Sequence, residues 1–241
     1  MITEFATSAL SAAPLHAAGF ATATDWDQMG PAMVKAFGQT MYMVSLTMLI
    51  GGLAGLAVGL GLYVSRPGNL YESKVVFNLL NILVNIVRPI PFIIFIAAIG
   101  PLTRLAVGTT LGPTAGAFAM CFMATFAFAR LVEQNLVALD PGVIEAARAM
   151  GASRLRVIRT VVVPEALGPL ILAYTFLFIG VVDMSAMVGA IGGGGLGDMA
   201  IRHGYQRMNW EITYVVVIVI IILVQLAQFL GNWLAKKALR R

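Results

Sequence analysis

The sequence predicts an all-α membrane protein with five transmembrane helices. Hydrophobic residues occupy 59% of its 241 positions and charged residues only 11%, whereas a soluble domain carries about 25% charged residues. The apolar runs are continuous rather than alternating, which disfavours a transmembrane barrel. Five runs reach the roughly 20 residues that a helix needs to cross a bilayer.

The five predicted spans follow one another between residues 40 and 235. They cover residues 40–64, 75–99, 109–133, 167–187 and 212–235. Arg88 is the one charged residue of the second span, and Asp183 is the one charged residue of the fourth. Residues 1–39 are predicted to form a polar lead-in segment on the outer side of the membrane, and residues 236–241 a short basic tail.

Basic residues are unevenly divided between the two sides of this predicted bundle. One side holds Arg66, Lys74, Arg130, Arg148, Arg154, Arg156, Arg159, Lys236, Lys237, Arg240 and Arg241. The other side holds Lys35, Arg104, Arg202 and Arg207. Because loops rich in lysine and arginine stay in the cytoplasm, the C-terminus is predicted to be cytoplasmic and the N-terminus outside. The net charge of +5 then reflects membrane orientation rather than nucleic-acid binding.

The long loop at residues 140–164 carries the signals of two helices. Asp140 can cap the first helix, and Gly151 fits the left-handed position that ends it. Ser153 can cap a second helix, and Pro164 is predicted to break the chain before the fourth span.

Two roles fit this loop equally well from its residues alone. Ala146 and Ala147 keep the first helix thin, so that a partner protein can approach it, and Glu145 lies among several arginines. The same basic segment could instead lie on the membrane surface, held by anionic lipid.

A fixed spacing of residues within the loop favours the docking role. Glu145-Ala146-Ala147 is followed after three residues by Gly151, and after nine more by a Val-x-Val-Pro sequence that ends at Pro164. The pattern resembles the EAA signature of bacterial ABC importer permeases, with valines at the Ile and Leu positions. The resemblance implies a cytoplasmic EAA coupling-helix loop that docks on an ATP-binding subunit, with Gly151 forming the turn and Glu145 making polar contacts.

Other stretches resemble the methionine branch of this family. They are Arg66-Pro67-Gly68 and the segments 84–94, 101–104, 185–187 and 194–197, within a resemblance that covers about residues 40–233. Two positions depart from that branch, where Met184 replaces an aromatic residue and Asp183 a small one.

The resemblance implies a transport subunit rather than an enzyme. It implies a homodimer in the bacterial inner membrane that translocates methionine, with two ATP-binding cassette subunits and a periplasmic or lipoprotein substrate-binding protein as partners. The chain itself is predicted to bind no cofactor and no metal and to hold no catalytic residue, and ATP with magnesium would belong to the partner ATPase. The alternative is a permease for another amino acid or small solute. A membrane-embedded enzyme or a channel fits less well.

Polar residues inside the spans are candidates for the translocation path. Asn78, Asn81, Asn85 and Arg88 fall within an arc of about 80° on the second span, at about 100° per residue. Asn85 and Arg88 could line the path, or the stripe could join neighbouring helices. Asp183 could contact substrate or form an ion pair with Arg88, because intramembrane charges require a partner or a wet surface.

Methionine and glycine residues complete the set of candidates. Met184 and Met187 flank Asp183, and the resemblance makes Met187 the candidate gate, although most membrane methionines pack in cores. The stretch from Gly192 to Gly197 matches G-x-G-x-x-G, but it follows a membrane span, so an outer loop or re-entrant turn is predicted rather than a nucleotide site. Gly51, Gly55 and Gly59 are predicted to pack against another helix of the same chain.

Overall fold

The computed structural model describes residues 24–239, and this part of the chain is almost entirely helical. Its α-helices are α1 (Trp26–Ser65), α2 (Lys74–Val87), α3 (Phe92–Ala98), α4 (Gly100–Val107), α5 (Pro113–Val137), α6 (Pro141–Ala149), α7 (Arg154–Val157), α8 (Val163–Val188), α9 (Gly195–Asp198) and α10 (Trp210–Leu239). Wider turns of the π type lie at Ile158–Val162, Gly189–Gly193 and Met199–Gly204.

The candidate membrane spans number five, as predicted, when one bent helix pair is counted as a span. Four helical stretches in the described residues are long and apolar enough to cross a membrane: Trp26–Ser65, Pro113–Val137, Arg154–Gly193 and Trp210–Leu239. The fifth candidate is the bent pair formed by α2 and α3. The all-α membrane fold is therefore confirmed.

The second span is broken, where the sequence analysis expected one helix over residues 75–99. Its two parts, α2 and α3, meet at an angle of 106°. Pro89 and Pro91 fall within the break, and each removes a backbone N–H that a continuous helix would use. Phe92 and Phe95 of α3 are buried, so the chain turns towards the core after the bend.

The first helix is longer than the predicted span. Residues 26–39, which were assigned to the polar lead-in segment, form the beginning of α1. Asp25 caps this helix by accepting a hydrogen bond from the Asp27 N–H. The indole N–H of Trp26 also donates to Glu211 at 2.9 Å, which ties the start of α1 to the start of α10. The remainder of the lead-in segment, residues 1–23, lies outside the described residues.

Pro164 does not break the chain, which corrects the prediction for the end of the loop. The helix that begins at Arg154 continues through the wide turn Ile158–Val162 into α8. In that turn the Val163 N–H bonds to the Ile158 carbonyl, five residues back. The wider spacing of this turn makes room for the ring of Pro164 within the continuous helix.

Three glycines let α1 lie directly on α5. A Cβ atom on Gly51 would come within 3.0 Å of Cys121 O, one on Gly55 within 2.8 Å of Thr125 O, and one on Gly59 within 2.5 Å of Ala129 O. At these distances a side chain at any of the three positions would require the neighbouring atoms of α5 to shift. The predicted packing of this glycine stripe within the chain is confirmed.

Candidate coupling loop and translocation path

The loop after α5 folds as the predicted helix, turn and helix. The carboxylate of Asp140 accepts from the Gly142 N–H at 2.8 Å and caps α6. At the other end, Gly151 has a φ of +81°. The Gly151 N–H donates to Arg148 O and the Ala152 N–H donates to Ala147 O, which is the pair of hydrogen bonds of a Schellman turn. The turn therefore holds α6 and α7 in a defined relative position.

The alanines of the signature face opposite ways. Glu145 and Ala146 are exposed, whereas Ala147 is 5% exposed and belongs to the main apolar core together with Val157 and Ile158. The expectation that both alanines thin the helix for a partner is therefore corrected, because Ala147 instead packs α6 against its own chain. Met150, which is 82% exposed, is an apolar side chain that projects from the outward surface as a knob.

A cleft separates α6 from the turn that follows α1. Its volume is about 260 Å³, and its lining includes Arg66, Asn69, Ile144, Glu145 and Arg148. Both charged groups of α6 thus border a recess that is open to solvent in the single chain. Such a recess beside an exposed apolar knob is a shape that a complementary protein surface can fill.

The four arginines around the loop are exposed. They are Arg148, Arg154, Arg156 and Arg159. The guanidinium of Arg154 stacks over the ring of Tyr71, 5.5 Å from its centroid. This contact fixes one arginine against the first loop and leaves the other side chains free to meet a partner.

Arg88 and Asp183 do not pair with each other in the described chain. The ion pairs within residues 24–239 join Arg66 to Glu133, Arg130 to Glu133, and Arg202 to Asp198. Arg88 and Asp183 are both exposed. Arg88 caps the C-terminal end of α2 and lies at the bend of the broken span, while Asp183 lies on α8.

A polar cluster that the sequence analysis missed joins α1, α2 and α5. Its members are Arg66, Asn81, Asn85, Arg130 and Glu133. Glu133 is 2% exposed and accepts hydrogen bonds from Arg66, at 3.1 Å, and from Arg130. Arg130 also donates to Asn81, at 3.1 Å, and to Asn85.

The cluster gives two members of the predicted stripe a partner. Asn85, a candidate for the path, bonds to Arg130 and to Asn81, so its side chain joins helices as the alternative interpretation required. The sequence signal for Glu133 is an acid three residues after Arg130 at the end of the third predicted span. Such a charged end resembles an ordinary loop boundary and does not by itself predict a buried ion pair.

The candidate gate residues occupy the last turns of α8. Met184 and Met187 are partly buried and pack against the main core, so each has one side in the core and one side open. Ser185 between them is buried and donates to Val182 O at 2.6 Å. The geometry is compatible with both interpretations of Met187, packing and gating.

The glycine-rich segment after α8 is a tight turn against α1. The Gly195 N–H donates to Gln39 and the Leu196 N–H donates to Thr40, each at 2.9 Å. A Cβ atom on Gly197 would lie 2.4 Å from Ala186 O. The N–H groups of Gly195 and Leu196 are bonded within the chain and are not free to bind a phosphate, which agrees with the prediction of a turn rather than a nucleotide site.

Comparison with known proteins identifies the family. Residues 55–240 match the family described as binding-protein-dependent transport system inner membrane component. The chain belongs to this family. A curated relative, the probable D-methionine transport system permease protein MetI of Vibrio cholerae serotype O1, is 38% identical over 205 residues, which are 85% of this chain and 91% of that protein. The methionine import system permease protein MetP of Bacillus subtilis is 40% identical over 171 residues, which are 71% and 77% of the two chains.

A solved structure gives the same result for the fold. A chain of the MetNI methionine ABC transporter, in inward-facing conformations, superposes with a TM-score of 0.85 at 37% identity. The match covers 88% of this chain and 98% of that chain. The family resemblance inferred from the loop and the methionine-branch stretches is confirmed.

Proposed function

We propose that the chain is the membrane-spanning permease subunit of an ATP-driven importer of methionine in the bacterial inner membrane. The observation that carries the proposal is its similarity, over most of its length, to permeases named for methionine transport. Two copies would form the path and bind two ATP-binding cassette subunits, which hold the ATP and magnesium. A substrate-binding protein would deliver substrate from the outer side.

The loop α6–α7 is the proposed contact with the ATP-binding subunit. Glu145, Ala146 and Met150 present the outward surface, and Gly151 and Ala147 hold α6 on the chain. The distribution of basic residues supports a cytoplasmic position for this loop and for the C-terminus, with the N-terminus outside.

The continuous helix from Arg154 to Val188 offers a physical route for coupling. It begins beside the docking loop and ends at Met187, with Pro164 inside it rather than at a break. At about 1.5 Å per residue, the axis between these two points is about 50 Å long. A movement of α6 would therefore reach the candidate gate through one packed helix. Arg88, Asp183, Met184 and Met187 are the proposed path residues.

Uptake into proteoliposomes tests the transport function. The chain, reconstituted with its ATP-binding subunit and binding protein, should accumulate labelled methionine only when ATP is supplied. Unlabelled methionine should compete, and other amino acids should compete weakly. ATP-dependent uptake of a different solute, without uptake of methionine, would contradict the assignment of methionine as the substrate. Uptake without ATP would contradict the proposal that ATP drives import.

Gly151→Asp tests the docking loop against a matched control. The substitution costs about 1–2 kcal/mol in the left-handed conformation, and it places a charge on the proposed surface. Gly108 has a similar φ of +85° and equally open space around it, so Gly108→Asp carries the same strain away from the loop. We expect only Gly151→Asp to lose co-purification of the ATPase. Equal losses in both variants would show a folding effect, and retention in both would contradict docking.

A further inference from the structure

An apolar groove opens between α1 and α10, with α8 as its floor. Its volume is about 530 Å³. It is lined by Leu53 and Leu56 of α1, Leu167 and Tyr174 of α8, and Leu230 and Leu234 of α10. All six side chains are exposed in the single chain, so the groove is unfilled by protein.

The polar atoms at the surface of the groove already have partners. The hydroxyl of Tyr174 donates to Met48 O, and that of Thr175 donates to Ile171 O, each at 2.9 Å. The groove therefore offers no free donor that a polar ligand would require. An apolar occupant fits its chemistry.

The groove has the length of one bilayer leaflet. Its α1 wall runs from Met48 to Leu60, which corresponds to about 18 Å at 1.5 Å per residue. One leaflet contributes about 15 Å, half of the hydrocarbon core. The end marked by Leu60, Val163 and Leu234 is the end of the bundle that carries the α6–α7 loop.

Basic residues stand at that end of the groove. Lys237 follows Leu230 and Leu234 on one side of α10, within about 60° at 100° per residue. Its ammonium lies 5.5 Å from the ring centroid of Trp233, and tryptophan is typical of the membrane interface. Arg159 is exposed four residues before Val163 of the groove lining, whereas Lys236 lies about 120° from Leu230 around α10 and faces away from the groove.

We propose that this groove binds a phospholipid with an acidic headgroup. One acyl chain lies between α1 and α10, and the phosphate meets Lys237. Clustered basic residues beside spans on the cytoplasmic side are the features that attract anionic lipids. The combination of a leaflet-length apolar groove with Lys237 and Arg159 at its end sets this surface apart from an ordinary lipid-facing helix.

A second copy of the chain is a poorer fit for the groove. On α8, Tyr174 lies about 180° from Asp183, and Leu167 about 160° from Met187. If the path forms between two copies on the side of Asp183 and Met187, which rests on the proposed function, the groove faces away from the partner copy and towards lipid.

Native mass spectrometry of the purified full-length chain tests the headgroup. Delipidated protein is titrated with phosphatidylglycerol or with phosphatidylcholine of identical acyl chains. We expect tighter binding of phosphatidylglycerol, and the variant Lys237→Gln should lose about fivefold in affinity for it. Its binding of phosphatidylcholine should not change. Equal affinities of the wild-type chain for both lipids would overturn the acidic headgroup.

Tryptophan substitutions that fill the groove test whether it binds the acyl chain. Leu56→Trp should abolish the binding of both lipids, whereas Ile218→Trp, which places the same ring at a residue 54% exposed on α10 and outside the groove, should leave it unchanged. Leu230→Trp fills the groove from the other wall and replaces Leu56→Trp if that variant does not fold. Unchanged lipid binding in the folded groove variants would overturn the proposal.

Cross-linking tests whether a second copy of the chain occupies the groove instead of lipid. Leu56→Cys, in a chain that also carries Cys121→Ser, should not be cross-linked to a second copy by a short bifunctional maleimide in membranes. Efficient cross-linking of two copies at residue 56 would show that the partner chain covers the groove and would overturn the lipid site. None of these measurements depends on uptake, so a failure of the methionine assay would be distinguishable from a failure of this proposal.

Discussion

The contact between α1 and α5 and the broken span α2–α3 differ in how their helices are held. Along α1, three glycines allow the helix to lie close to the backbone of α5. In α2, Val84 is the buried residue of the helix, and the span bends by 106°. The first region is closely packed, because an added Cβ atom at these glycines would meet the backbone of α5. The second leaves Arg88 and many apolar side chains exposed in the single chain.

The polar cluster connects these two regions. Arg66 belongs to the end of α1, Glu133 and Arg130 to α5, and Asn81 and Asn85 to α2. It thereby attaches a loosely held helix to a tightly packed pair. If this division is correct, substitutions in the packed pair and the cluster should lower stability, and substitutions on the exposed face should change transport alone.

Glu133→Ala should have the largest effect on stability. It removes the carboxylate that pairs with Arg66 and Arg130, and we expect a loss of about 3 kcal/mol in unfolding free energy, because the two arginines lose their partner. Thermal unfolding in detergent measures this loss. Hydrogen exchange should also rise in α2, which depends on the cluster. Glu165→Ala, at an exposed acid on α8, is the control, and equal melting temperatures for the two variants would contradict the role of the cluster.

Gly59→Ala should have the second-largest effect on stability. The new Cβ atom would lie 2.5 Å from Ala129 O and 2.6 Å from Val132 Cβ, and overpacking of this kind costs about 1–3 kcal/mol. Gly38→Ala is the matched control in the same helix, since nothing lies within 4 Å of its added Cβ atom. It should stabilise α1 by up to about 1 kcal/mol through helix propensity. If both variants unfold alike, close packing of α1 on α5 does not determine stability.

Met187→Ala should have a smaller effect on stability and a distinct effect on coupling. Met187 is half-buried, so its loss should cost about 1 kcal/mol, against the 2–5 kcal/mol expected for a fully buried methionine such as Met120. Removal of a gate should raise ATP hydrolysis that is not accompanied by uptake. Reconstituted vesicles give the ratio of the two rates. A wild-type ratio together with lower stability would assign Met187 to the core alone.

Arg88→Ala and Asp183→Ala should change stability least. Both side chains are exposed and unpaired among residues 24–239, so each change should stay within about 0.5 kcal/mol. Both should lower methionine uptake. Because the two groups do not touch within the chain, their effects should add in the double variant. A double variant that is less impaired than the sum would instead reveal an ion pair formed across two copies.

The sequence by itself determined the elements whose signals are local. Composition and the length of the apolar runs predicted five spans. Asp140 and Gly151 predicted the first helix of the loop and its left-handed end, because a cap and a positive φ are properties of single residues and their neighbours. The glycine stripe of α1 predicted close packing within the chain, because the lack of side chains at four-residue spacing can be read directly from the sequence.

Only the tertiary structure decided which helices meet and which polar groups pair. Pro164 lies within a continuous helix because the wide turn before it accommodates its ring, and no local rule for proline anticipates that turn. Ala147 faces inward because α6 folds back on Val157 and Ile158. Arg88 and Asp183 stay apart while Glu133 holds Arg66 and Arg130, because ion pairs in a bundle depend on distances between helices that are far apart in sequence.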